Sequence, residues 1–174
     1  MSEPVPVIEI SAAAVPALRA LFERGIEVAA ETGRPLEEIL RDQWGIPADY
    51  VANRISTIFL DAKPVDDLGV HVADGSVLAL SAAMPGLVGA TMRRGGVLGS
   101  FRGDISHRDA GDRSGGGRPG WIRVKLFNMI AEELGNPFLG LGCRAPRSEL
   151  RACLNDPALA LPDAPVLRAI RAGG

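Results

Sequence analysis

Residues 54–67, RISTIFLDAKPVDD, and residues 72–83, VADGSVLALSAA, decide how this chain is read. Ile55 to Leu60 and Val77 to Leu80 are short runs of β-branched and aliphatic residues, the composition of half-buried strands. Between them, Asp61 to Asp67 and the pair Asp74-Gly75 supply turn chemistry, because Asp bonds its own backbone and Gly takes positive φ without strain. Asp61, Asp66 and Asp67 are therefore assigned to turns rather than to a metal or acid/base site. Upstream, Leu36, Ile39, Leu40 and Trp44 recur at i, i+3, i+4 and i+8 behind Pro35. That spacing predicts a helix with one apolar face, Glu37 and Arg41 pairing on its outside and Gly45 ending it. Ile26 to Val28 reads as a strand, Ser11 to Arg24 as a helix capped by Ser11 with Pro16 in its first turn, and Val5 to Ile10 as a strand. The first 85 residues thus run β, α, β, α, β, β.

From Pro85 onward glycine and arginine dominate, and residues 109–120, DAGDRSGGGRPG, have almost nothing to bury, so they are expected to form a mobile loop. Val97 to Ser106 before it and Trp121 to Phe127 after it suit a long-looped hairpin, although the second run equally suits the opening of a helix, which is the favoured reading. Val124, Phe127, Ile130, Ala131 and Leu134 lie at helical spacing, which predicts a strand or turn up to Arg123 and a helix over about 124–134, stopped by Gly135-Asn136-Pro137. A second short helix is expected over 147–154 after Pro146, and Leu159 to Gly174 reads as a Pro-interrupted surface tail. The expected class is α+β, divided into a module at 1–85 and a Gly/Arg-rich C-terminal extension at 86–174 with two short helices.

The two quoted stretches, together with Ile26–Val28, the turn at Gly33 and the helix from Pro35 to Trp44, resemble the ubiquitin-like β-grasp sulfur carriers of thiamine and molybdopterin biosynthesis. The likeness covers about residues 5–85 and implies a β-grasp-like N-terminal module. In that family the carboxylate of a C-terminal Gly-Gly is adenylated and converted to a thiocarboxylate, and only Gly threads the narrow channel without a Cβ clash. This chain departs from the pattern: Gly95-Gly96 follows the module but continues into 78 further residues, whereas the sequence ends in Gly173-Gly174. The resemblance makes Gly174 the candidate for modification.

The 174 residues carry 19 Lys+Arg against 21 Asp+Glu, a net charge of −2, so bulk electrostatics do not make the protein a polyanion binder. The halves differ: residues 1–70 hold 12 acids and 6 bases, residues 71–174 hold 9 acids and 13 bases. An anionic partner is expected to meet the second half. Seventeen of the bases are Arg, the exceptions being Lys63 and Lys125, a bias that a GC-rich genome also produces. Two cysteines make no disulfide framework, the first residues lack a signal-peptide pattern, and a cytoplasmic location is expected. The longest apolar stretch, Val77 to Met92, is 16 residues, contains Pro85, Gly86 and Gly89, and falls short of the roughly 20 needed to cross a bilayer.

Two surfaces carry the functional expectation. Arg93, Arg94, Arg102, Arg108, Arg118, Arg123 and Lys125, with Trp121 interleaved, form an anion- or partner-binding stretch, since guanidinium groups hold carboxylate or phosphate oxygens bidentately. Met84, Leu87, Val88 and Met92 lie in a small-residue, uncharged segment suited to a partner groove. The chain is read as a non-catalytic binding or assembly protein with a protein partner, self-association and an anionic or nucleic-acid ligand being left open, and with no cofactor and no metal. Two alternatives stand beside this: a carrier activated at Gly174, and a small-molecule enzyme using Cys143 with His107. Residues 140–145, GLGCRA, fit a dinucleotide fingerprint on paper but lack the strand before and the helix after it.

Overall fold

The computed structural model describes residues 4–84, 86–96, 116–156 and 160–173. It is a mixed α/β structure built on one large mixed sheet. The elements in chain order are β1 (Val7–Ile10), a 3-10 stretch Ala12–Leu18 running into α1 (Arg19–Arg24), β2 (Ile26–Thr32), β3 (Arg34–Pro35), α2 (Leu36–Glu38) continued by a π turn Ile39–Gln43, α3 (Ala48–Asn53), β4 (Thr57–Leu60), β5 (Lys63–Pro64), β6 (His71–Val72), β7 (Val77–Ser81), α4 (Gly86–Met92), β8 (Arg118–Phe127), α5 (Met129–Leu141), β9 (Cys143–Pro146), α6 (Arg147–Leu154) and β10 (Val166–Arg171). Eight strands lie in the order β1-β10-β9-β2-β8-β7-β4-β5; β1/β10 and β7/β8 are parallel and the other pairs antiparallel. Strands from either side of residue 85 therefore alternate within a single sheet.

One face of the sheet builds the core. Ile26 and Val28 on β2, Ile122, Val124 and Leu126 on β8, Leu78 and Leu80 on β7, Cys143 and Ala145 on β9, and Leu167 and Ala169 on β10 are all buried. Against them pack Leu36, Ile39, Leu40 and Trp44, the face the helical spacing predicts, and Ile130, Leu134, Phe138 and Leu139 of α5. Trp44 meets Phe138 edge-on with ring centroids 5.3 Å apart and donates its indole N–H to the Ala29 carbonyl at 3.1 Å. Arg41 does not pair with Glu37 as expected: its guanidinium donates to the carboxylate of the adjacent Asp42 at 2.8 and 2.9 Å.

Several expectations are corrected. Ser11 does cap, accepting from the Ala13 N–H at 3.3 Å, but regular α-helix begins only at Arg19. Pro16 has no N–H and its ring opposes the carbonyl four residues back, so the turns around it are 3-10. The helix expected over 124–134 is instead the second half of β8, where Ile122, Val124 and Leu126 point in and Arg123 and Phe127 point out with a period of two. Asn128 turns the corner at φ 48, ψ −132, and α5 then runs from Met129 to Leu141 straight through Gly135-Asn136-Pro137. The lost Pro137 hydrogen bond is outweighed by the burial of Phe138 and Leu139 immediately after it. The expected surface tail contains β10, which sits inside the sheet between β1 and β9. Of the expected mobile loop at 109–120, residues 118–120 belong to β8; residues 109–115 and the strand read at Val97–Ser106 lie outside the described residues. The helix expected over 147–154 coincides with α6.

Candidate binding face

The opposite face of the sheet carries the odd-numbered residues of β8: Trp121, Arg123, Lys125 and Phe127. Alternation along neighbouring strands adds Glu27 and Ala29 of β2, Arg144 of β9, Arg168 of β10, Val77 and Ala79 of β7 and Phe59 of β4, all half-buried or exposed. The register aligns Arg168 directly opposite Arg144, Arg144 opposite Glu27, and Glu27 opposite Arg123. Adjacent strands lie about 4.8 Å apart, so this is one row of side chains across four strands. Glu27 stands between two arginines yet pairs with neither within 4.0 Å, and among the described residues none of Arg123, Lys125, Arg144 and Arg168 forms an ion pair.

Two backbone details shape this row. Arg144 lays its guanidinium carbon 3.7 Å from the centroid of the Trp121 ring, a cation–π contact. It reaches across β2 because the residue opposite Trp121 is Ala29, whose methyl leaves the path clear. Its Nε is buried with no hydrogen-bond partner. Arg168 crosses above Gly142, where φ is +80 and a Cβ would come within 2.9 Å of the guanidinium Nε.

At the other end of the face lies a trough of about 810 Å³. Its floor is Val77, Ala79 and Ser81 of β7, its walls Phe59 and Phe127, and Lys125 stands on the Phe127 side. Asn128 closes one end, its side-chain oxygen accepting from the Ala82 N–H at 3.0 Å while its NH2 donates to Ser81 Oγ at 2.9 Å.

The basic stretch read from the sequence is divided by the fold. Trp121, Arg123 and Lys125 share the open face. Arg118, at the start of β8, falls on the other side of the alternation, and Arg93 is exposed beyond α4. Arg94 serves the fold instead, since its Nη2 donates to the Val51 carbonyl at 2.7 Å at the end of α3, and burial pushes its pKa down. Arg102 and Arg108 lie outside the described residues. Of the apolar segment, Met84 lines the trough and Met92 is half-buried on α4, while the side chains of Leu87 and Val88 lie outside the described set. Gly89 is required in α4 because a Cβ there would sit 2.1 Å from the Met84 carbonyl oxygen. Sequence reasoning missed Arg144, Arg168, Phe59 and Phe127. The available signal was alternation in Cys143-Arg144-Ala145 and Leu167-Arg168-Ala169.

Cys143 is fully buried on the inner face, and burial pushes its thiol up to about 12, weakly opposed by Arg168; this environment disfavours the thiolate a nucleophile needs. His107 lies outside the described residues. Residues 140–145 run from helix into strand, the reverse of a dinucleotide-binding turn. Asp67 accepts from the Gly69 N–H at 2.8 Å and Asp61 from the Val77 N–H at 2.8 Å, both in turns. Gly173 follows β10 closely, the Ala172 N–H donating to the Ile10 carbonyl at 2.8 Å; Gly174 is outside the described residues. Among the described residues no group of three or more His, Cys, Asp or Glu side chains is arranged to hold a metal ion, and no helix is long and apolar enough to cross a membrane. Compared with known proteins, the chain matches no family model, no curated protein and no solved structure.

Proposed function

We propose that this is a non-catalytic binding or assembly protein whose contact surface is the open face of the sheet, and that its partner is an acidic protein segment. The observation that carries this is the direct cross-strand pairing of Arg144 with Arg168 without a counter-ion among the described residues. The Arg144 guanidinium lies over Trp121 and that of Arg168 over Gly142, so neither has a carboxylate partner among the described residues, and an anionic segment supplies one. The arginine stacked on Trp121 favours carboxylates over bases: one ring face is occupied, while a pre-oriented guanidinium fork suits a bidentate carboxylate.

A ubiquitin-like half is part of the same proposal. The order β2-β8-β7-β4-β5 has a parallel central pair flanked by antiparallel partners, the arrangement of a β-grasp sheet, with β8 from beyond residue 85 as one of the central pair. The free thiols of Cys143 and Cys153 fit a reducing compartment such as the cytoplasm.

The test is titration of the full chain with an octaglutamate peptide at low salt. Binding is expected to weaken at least tenfold in R144Q/R168Q and to persist in R24Q/R41Q, which removes two exposed arginines elsewhere. Equal loss in both variants, or tighter binding of a deoxythymidine decamer than of the peptide, refutes the proposal.

A further inference from the structure

We propose that the trough between Phe59 and Phe127 binds an amphipathic monocarboxylate, its apolar body lying on Val77 and Ala79 and its carboxylate meeting the Lys125 ammonium. The site borders the arginine row, Val77 of its floor lying in register with Arg123, but draws on Lys125 rather than on Arg144 or Arg168.

Shape is the first ground. Phe59 stands opposite Ala79 on one side of β7, and Phe127 opposite Ser81 on the other, so two phenyl walls flank a strand of small side chains. Two strand spacings separate β4 from β8, roughly 9.6 Å, which admits an alkyl chain or a single ring between the walls. A volume of about 810 Å³ falls in the range of small-molecule clefts.

The rim is held rigidly. Of the four non-glycine residues at positive φ among those described, three border this trough: Asp61 at 49°, Ala62 at 65° and Asn128 at 48°. Conformations of this kind persist where surrounding bonds over-determine them, and they gather at ligand clamps. Asp61 is fixed by accepting from the Val77 N–H and from Ser76 Oγ, at 2.8 and 3.1 Å, and Asn128 by its bonds to Ala82 and Ser81.

Charge selects the ligand. Arg19 at the margin is neutralised by Glu23 and Glu132, at 3.2 and 2.8 Å. The carboxylate of Asp61 keeps its charge but is turned to the Val77 N–H and Ser76 Oγ, and the amide of Asn128 is committed to the bonds just given. Lys125 is then the one charged group of the lining without an ion pair or side-chain hydrogen bond among the described residues. An apolar trough with one uncommitted ammonium complements an apolar molecule with one negative charge; a polyphosphate would find too few donors there.

The experiment is calorimetric titration of the full chain with decanoate below its micellar concentration, beside decanol and decyltrimethylammonium as neutral and cationic counterparts. Saturable one-to-one binding of decanoate is expected, with decyltrimethylammonium at least tenfold weaker. K125M should weaken decanoate about tenfold while leaving decanol unchanged, and A79F, which fills the floor, should abolish both. R144Q/R168Q should bind decanoate as the natural chain does, so failure of the acidic-peptide test and failure here are separable. No saturable decanoate binding, equal binding of the cation, or an unchanged K125M affinity overturns the proposal; K125M alters a half-exposed side chain and keeps the test informative should A79F not fold.

Discussion

Replacing Arg168 by Glu should make the protein more stable while destroying its affinity for acidic peptides. In the register of β10 and β9, residue 168 faces Arg144 directly, so R168E turns a like-charge cross-strand pair into an opposite-charge one. Removing the repulsion and adding the attraction are each worth roughly 0.2–1 kcal/mol where the charged heads meet, whereas the Arg144 guanidinium is held over Trp121, away from β10. Arg168 is exposed, and screening together with that separation points to the bottom of the combined range, about 0.4 kcal/mol. With a urea m-value of about 1–3 kcal/mol/M, the unfolding midpoint rises by roughly 0.1–0.4 M. Urea is the right denaturant because guanidinium would screen the pair. R168Q, which removes the repulsion alone, should gain about half as much. Both gains should largely vanish in 1 M NaCl, where the Debye length is about 3 Å. A midpoint for R168E at or below that of the natural chain at low salt, or a gain indifferent to salt, refutes the claim that these two arginines oppose each other uncompensated.

Two further outcomes are expected. Gly135→Ala should destabilise the fold by about 1–2 kcal/mol by urea unfolding, because the roughly 1 kcal/mol gain in helix propensity is outweighed by a Cβ placed 2.5 Å from Cε2 of the buried Phe22 ring; Phe22→Leu in the same chain should recover part of the loss. Cys143 should resist Ellman's reagent in the native chain at pH 8, more so than the half-buried Cys153. Because the Cys143 thiol stands at about 12 in the fold against an ordinary 9.0, the unfolded chain releases its proton first; the contribution is whole below pH 9 and is lost as pH rises toward 12, a decline that C143A should lack.

What the sequence made legible was what local spacing determines. The stripe of Leu36, Ile39, Leu40 and Trp44 admits one reading, and all four residues are buried. Residues 121–134 admit two, because Val124, Phe127, Ile130, Ala131 and Leu134 satisfy a helical period while Ile122, Val124 and Leu126 satisfy a strand period. Pairing with β2 on one side and β7 on the other settles the first part as strand, and neither partner is visible from residues 121–134 alone. Gly135-Asn136-Pro137 looked like a stop because propensity is local, whereas Gly135 is there to admit the Phe22 ring from a helix more than a hundred residues earlier. β10 was hidden behind Pro162 and Pro165, which punctuate the chain just before Leu167 and Ala169 enter the core.

The binding face shows the same limit in electrostatic form. The acid-rich first half and base-rich second half suggested that an anionic partner would find its charge by locating the second half of the chain. The sheet order breaks that inference, since β2, bearing Glu27, lies between β9 and β8 and brings a carboxylate from the first half into the middle of the cationic row. The positive surplus is therefore concentrated where no first-half carboxylate intervenes, at the Arg144–Arg168 step between β9 and β10, two residues separated by 24 positions in sequence. Neither arginine belongs to the basic stretch at 93–125. Affinity on this face consequently follows register more than composition: removing Arg168 should cost more than removing Arg123, because Arg123 has Glu27 directly opposite it, whereas Arg168 has Arg144 and Val7 directly opposite and Glu9 of β1 only on the diagonal.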